Sequence, residues 1–120
     1  MKKIPLTSDS LKLMEIQSDE VFINTSSDGV NLVGEAYFDG YDGIILHAKN
    51  LAPSFFDLST GFAGDILQKF ATYKIRLAIV GDFSDVASQS LRAFIRESNQ
   101  YGHITFAATT SEALEKIQAY

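Results

Sequence analysis

Two short, uninterrupted apolar runs, Ile44-Ile45-Leu46 and Leu77-Ala78-Ile79-Val80, constrain this chain more than any other feature. A strand that is apolar at every position has no side to show to water. Each run therefore predicts a strand covered on both faces, as in a parallel sheet with helices packed on it. The segment between them supplies such a helix: Ala63, Ile66, Leu67 and Phe70 form one apolar stripe, while Asp65, Gln68, Lys69 and Thr72 face away. Asp65 and Lys69 are spaced for a helical ion pair. Strand, helix, strand through short connections is the pattern of a right-handed parallel crossover.

The alternation continues toward the C-terminus. Gly81-Asp82 closes the second run, and Ser84 is placed to cap a helix that turns Leu91, Phe94 and Ile95 inward and ends near Asn99 to Gly102. Ile104-Thr105-Phe106-Ala107 reads as the last strand, with Thr110 or Ser111 capping a closing helix through Ala113, Leu114 and Ile117. Toward the N-terminus, Leu11, Leu13, Met14 and Ile16 form a first strand. The run Val21-Phe22-Ile23, beyond the turn-prone Gln17-Ser18-Asp19-Glu20, is expected to pair with it as a hairpin. Ser26, Ser27 and Asp28 offer caps for a helix carrying Val30, Val33, Gly34 and Tyr37, which Gly29 and Gly34 weaken and Gly40-Tyr41-Asp42-Gly43 breaks. The expectation is one α/β domain over residues 1–120: an N-terminal β-hairpin, then alternating helices and strands in a mixed sheet with helices packed on it.

Composition narrows the chemistry. A chain of 120 residues buries roughly two-thirds of its unfolded surface and needs no staple. The absence of cysteine excludes disulfides, thiolate catalysis and cysteine-ligated metals, and suits a reducing cytoplasm. The start Met1-Lys2-Lys3-Ile4-Pro5-Leu6 turns polar at Thr7-Ser8-Asp9-Ser10, so neither a signal peptide nor a membrane span is expected, and the location expected is the cytoplasm. A formal charge of -5 with dispersed Lys and Arg argues against nucleic acid as a partner, and Arg92 with Arg96, one helical turn apart, reads as a solvated helix face.

In a parallel sheet the loops after the strands' carboxyl ends gather on one edge. That edge would bring together His47, Asp57, Ser59, Thr60, Asp82 and Ser84. Two chemistries suggest themselves. The stretch Phe55-Phe56-Asp57-Leu58-Ser59-Thr60-Gly61-Phe62-Ala63-Gly64 runs into a helix start, where unpaired N–H groups attract anions, so Ser59 or Thr60 is a candidate phosphoacceptor and Phe56 or Phe62 a candidate protein contact. Alternatively His47 acts on a small ligand as acid or base, oriented by Asp57 or Asp82, with Ser84 beside it. The plain structural reading makes Ser59, Thr60 and Ser84 caps and Asp57 and Asp82 turn-formers, with Gly61 permitting an unusual turn and Gly64 close packing. His47 ends a strand and His103 begins one, which sets them on opposite edges and disfavours a two-histidine metal site. No cofactor or metal is expected.

The order of elements resembles the STAS domain, shared by sulfate transporters and anti-sigma-factor antagonists. Phe56-Asp57-Leu58-Ser59-Thr60-Gly61 is similar to that family's Asp-Ser-Ser-Gly-like loop, and Thr110-Ser111-Glu112-Ala113-Leu114 to its final helix start. One extra residue separates Asp57 from Gly61, so the family's phosphoacceptor serine aligns with Leu58 or with Ser59. The segments Phe55-Phe56-Asp57-Leu58, Thr60-Gly61, Ile66-Leu67-Gln68-Lys69-Phe70 and Leu77-Ala78-Ile79-Val80-Gly81-Asp82-Phe83-Ser84 also resemble a family of small bacterial proteins catalogued as a domain of unknown function. Together these imply a bacterial, STAS-like, non-catalytic regulatory module that meets a protein partner, or a second copy of itself, through Phe56 to Gly64. The alternative is a ligand-binding protein or enzyme using His47, Asp57 and Asp82.

Overall fold

The structure is a computed structural model that describes residues 1–8, 10–101 and 104–118. Its centre is a five-stranded sheet in the order β1 (Lys2–Ser8), β2 (Leu11–Gln17), β3 (Gly43–His47), β4 (Arg76–Val80) and β5 (Ile104–Ala107). The first two strands are antiparallel and all later neighbours parallel. Four helices complete it: α1 (Ser26–Phe38), α2 (Phe62–Tyr73), α3 (Gln89–Tyr101) and α4 (Thr110–Gln118). The α/β class follows as the apolar runs required, with Ile44, Ile45, Leu77, Ala78 and Ile79 at most 1 % exposed. Among the described residues no helix is long and apolar enough to cross a membrane.

The monotonic strand order decides where the helices lie. Each parallel connection from β2 to β5 steps the same way across the sheet, and right-handed crossovers repeated in one direction lay every connecting helix on one face. That face is the larger core, where Met14, Ile16, Ile44, Leu46, Leu77, Ile79 and Phe106 meet Val33 and Ala36 of α1, Ile66 and Phe70 of α2, and Phe94 and Ile95 of α3. The opposite face, with Leu13, Ile45, Ala78, Val80 and Ala107, is covered by α4 through Ala113 and Ile117. At about 1.5 Å per residue one short helix roofs only part of a sheet, and α4 lies chiefly over β4 and β5. On that face the carboxyl ends of β2 and β3, and the amino end of β1 beside them, stay open.

The N-terminal hairpin differs from the expected one. Val21-Phe22-Ile23 is not a strand: Ile23 makes an isolated parallel bridge to Leu51, and the Phe22 and Ile23 N–H groups both donate to the Asn50 carbonyl. β2 pairs instead with Lys2–Ser8. Lys2, Lys3 and Pro5 obscure that strand's alternation, yet they suit a sheet edge, where lysines and proline discourage further pairing.

Helix starts shift for local reasons. Thr25, rather than Ser26, Ser27 or Asp28, caps α1: its Oγ1 accepts the Asp28 N–H, and the Asp28 carboxylate accepts from Thr25 and Asn24, a reciprocal capping box. Thr109, rather than Thr110 or Ser111, accepts the Glu112 N–H at the start of α4. Ser88 caps α3 through the Leu91 N–H, because Asp82 holds Ser84 in its own turn. Asp65 accepts from Ser26 Oγ at 3.3 Å rather than pairing with Lys69. His103 lies outside the described residues.

Close helix packing falls to Gly29 and not to Gly64. A Cβ at Gly29 would stand 2.6 Å from two Ile66 side-chain carbons, whereas at Gly64 or Gly34 it would meet nothing within 4 Å. Alanine at these two positions of α1 therefore acts in opposite directions. Gly34→Ala should gain about 0.5–1 kcal/mol from helix propensity. Gly29→Ala should lose about 1–2 kcal/mol, overpacking against Ile66 outweighing the same propensity gain. Urea denaturation of the two variants checks both signs.

Candidate functional site

Side chains alternate along β2, so Leu11, Leu13, Glu15 and Gln17 share the face that α4 covers. A carboxylate in that row is thereby carried into the interior, and Glu15 is 6 % exposed. Glu15 pairs with Ile45, which puts His47, two residues further along β3, one row beyond it on the same face. His47 Nε2 lies 2.7 Å from Glu15 Oε2, and Thr110 in the first turn of α4 donates its Oγ1–H to the same oxygen at 3.3 Å. A buried carboxylate needs such donors, since stripping it of water without them costs several kcal/mol. Ionised Glu15 requires the proton on Nε2. Nδ1 is then an acceptor with no partner among the described residues, on a side chain that remains 22 % exposed.

In front of His47 lies an open hollow of about 690 Å³. Lys2 and Gln17 close it on the hairpin side, Ser18, Asp19 and Glu20 form its rim, and Lys49 stands beside His47. Asn50, fully buried, fixes that rim: its Nδ2 donates to the Ser18 and Glu20 carbonyls at 2.7 and 2.8 Å. The Lys49–Asp19 contact at 3.8 Å joins two exposed side chains and holds little.

The loop before α2 is built differently. Phe55 is buried, while Phe56 and Phe62 are half-buried with their rings edge-on to it at 5.1 and 5.9 Å. Thr60 Oγ1 is within donor range of the Ser54 and Asp57 carbonyls and accepts the Phe62 N–H, fastening the helix start. Gly61 takes the left-handed conformation, φ 75°, that only glycine adopts without strain. Ser59 is exposed, its hydroxyl donating to Asp57 Oδ1 at 2.6 Å. Asp82 and Ser84 repeat that turn at the same 2.6 Å, with Phe83 between them packed on Phe106. Each predicted group is thus occupied locally: Asp57 with Ser59, Asp82 with Ser84, and His47 with Glu15. The carboxylate that orients His47 is Glu15, not Asp57 or Asp82. Its signal was present in the sequence as a charge between Met14 and Ile16, in register with Leu11 and Leu13. Among the described residues no three His, Asp or Glu side chains converge as a metal cluster.

Both exposed turn aspartates are held below their ordinary range, first by the serine hydroxyl and then by the serine N–H. A lowered carboxyl pKa means that the turn's contribution to stability is complete above the unfolded-state value and is lost as pH falls through the folded one. The Ser59 and Ser84 amide resonances should therefore titrate with midpoints below about pH 3.9. In Asp57→Asn the Ser59 transition should vanish while that of Ser84 persists, as read by amide NMR across an acid titration.

The family model described as a domain of unknown function (DUF4180) matches residues 8–117. No curated protein and no solved structure matches the chain. The family match takes in all of β2 to β5 and all four helices up to Ile117, and the chain belongs to the DUF4180 family, a domain of unknown function.

Proposed function

We propose that this domain is a STAS-like, non-catalytic regulatory module of the cytoplasm that binds a small polar ligand at the carboxyl edge of its sheet through His47. The observation that carries the reading is the buried Glu15 carboxylate, 2.7 Å from His47 at the wall of the hollow. Apolar residues of similar size would fill that space with equal or greater stability. A carboxylate kept there orients the imidazole and leaves Nδ1 to meet a ligand. Binding is favoured over catalysis because His47 has no hydroxyl nucleophile hydrogen-bonded to it among the described residues. The STAS-like assignment rests on the hairpin-first alternation of strands and helices and on the Asp57 to Gly61 loop leading into α2.

A second reading keeps the Phe56 to Gly64 surface as a contact for a protein partner or a second copy, switched by phosphorylation. The observation favouring it is specific to one residue: Ser59 is exposed and its hydroxyl serves only Asp57, whereas Thr60 fastens α2. Phosphate on Ser59 would stand against the Asp57 carboxylate and rearrange the turn. Loss of a bound partner on Ser59→Asp but not on Ser59→Ala supports this reading. Unchanged binding by both removes it.

The leading reading separates stability from function. His47→Leu alone strands the buried Glu15 carboxylate and should cost about 2–3 kcal/mol. The double change Glu15→Leu with His47→Leu should restore at least the original stability. A small-molecule library screened by amide NMR should give hits that shift His47 and residues 18–20 in the natural protein and none there in the stable double variant. Hits that persist in the double variant would sink the proposal.

A further inference from the structure

Asn50 determines which groups the rim of the hollow presents. It is fully buried, and its Nδ2 draws the Ser18 and Glu20 carbonyls toward it. Among the described residues there are no cis peptide bonds, and across a trans peptide the carbonyl and the following N–H point in opposite directions. Carbonyls turned inward at Ser18 and Glu20 therefore turn the N–H groups of Asp19 and Val21 outward. Neither N–H donates to any group among the described residues. Asp19 is part of the rim, and Lys2, Lys49 and His47 line the same hollow.

We propose that the hollow takes a small oxyanion, a carboxylate or phosphate group, held by the outward Asp19 N–H group and by Lys49 and Lys2, with His47 in the wall beside it. The assignment rests on the reading of the hollow as a ligand site and names the ligand's chemistry. An outward backbone N–H group is a natural part of an anion cradle, and the lysines lining the same hollow supply the charge. Asp19 and Glu20 carry the opposite sign at the rim. The Asp19 carboxylate already leans on Lys49 at 3.8 Å, so an anion displaces it there. Binding is accordingly weak and falls with salt.

The test is a titration of the isotope-labelled full chain, at constant ionic strength, with sodium acetate, inorganic phosphate, acetamide and methylammonium chloride in parallel. Acetate or phosphate should produce saturable shifts at the Asp19 amide and the His47 ring, while acetamide and methylammonium leave them unmoved. Saturation by phosphate alone assigns a phosphate group, and by acetate a carboxylate. Lys2→Gln with Lys49→Gln alters only exposed side chains and should weaken the anion by roughly tenfold or more. Asn50→Leu should abolish the amide shifts. If acetamide or methylammonium moves His47 and neither anion does, the hollow remains a ligand site and the oxyanion assignment falls. If no probe moves His47, both fall. Anion shifts undiminished by the double lysine change would also overturn the cradle.

Discussion

One topological constraint organises the molecule: four parallel-connected strands are laid down in a single direction. Right-handed crossovers then put α1, α2 and α3 on the same face, and the other face depends on a helix of nine residues. The larger core is closed on its three-helix side, with Phe70, Ile44 and Ile79 fully buried. The smaller one, around Ile45, Ala78 and Ile117, is closed only where α4 reaches. The open corner over β1, β2 and β3 follows from the strand order, and Glu15, Gln17 and His47 stand there.

Glu15 and His47 show what that corner tolerates. A carboxylate in the row of Leu13 would be expensive beneath a helix, but here it sits at the margin, where His47 and Thr110 both donate to one oxygen. The arrangement ties β2, β3 and the start of α4 together through a single atom. The setting of the His47 ring is consequently linked to the docking of α4, whose first turn carries Thr110 and whose far end is held by Arg76 on the Ile117 carbonyl. Asn50 plays the corresponding role for the rim, with the Ser18 and Glu20 carbonyls taken by its side chain and Phe22 and Ile23 held by its own carbonyl.

The parts of the fold legible in the sequence were those decided by apolar pattern. Ile44 to Leu46, Leu77 to Val80, the α2 stripe and the Ile104 strand all stand where their side chains required. What stayed hidden was decided by backbone pairing and single polar contacts. β1 looks polar because it is an edge, and Val21 to Ile23 looks like a strand although the Phe22 and Ile23 N–H groups are claimed by Asn50. The caps shifted because Thr25 and Thr109 have a partner three residues on, Asp28 or Glu112, whereas Ser84 is held back by Asp82. That His47 ends β3 at the carboxyl edge was readable in the sequence. Its partner, Glu15 of β2, was not, because the edge loops offer Asp57 and Asp82 first, and these bond their own serines instead.

The most direct test of the central claim is the long-range proton–nitrogen NMR spectrum of the His47 ring, in the natural protein and in Glu15→Gln. A single state with the proton fixed on Nε2 toward Glu15 is expected, with the ring resonances shifted when phosphate or acetate enters the hollow beside it. In Glu15→Gln that fixed tautomer should be lost. A ring that averages between tautomers in the natural protein, and is indifferent to Glu15→Gln, would contradict the account.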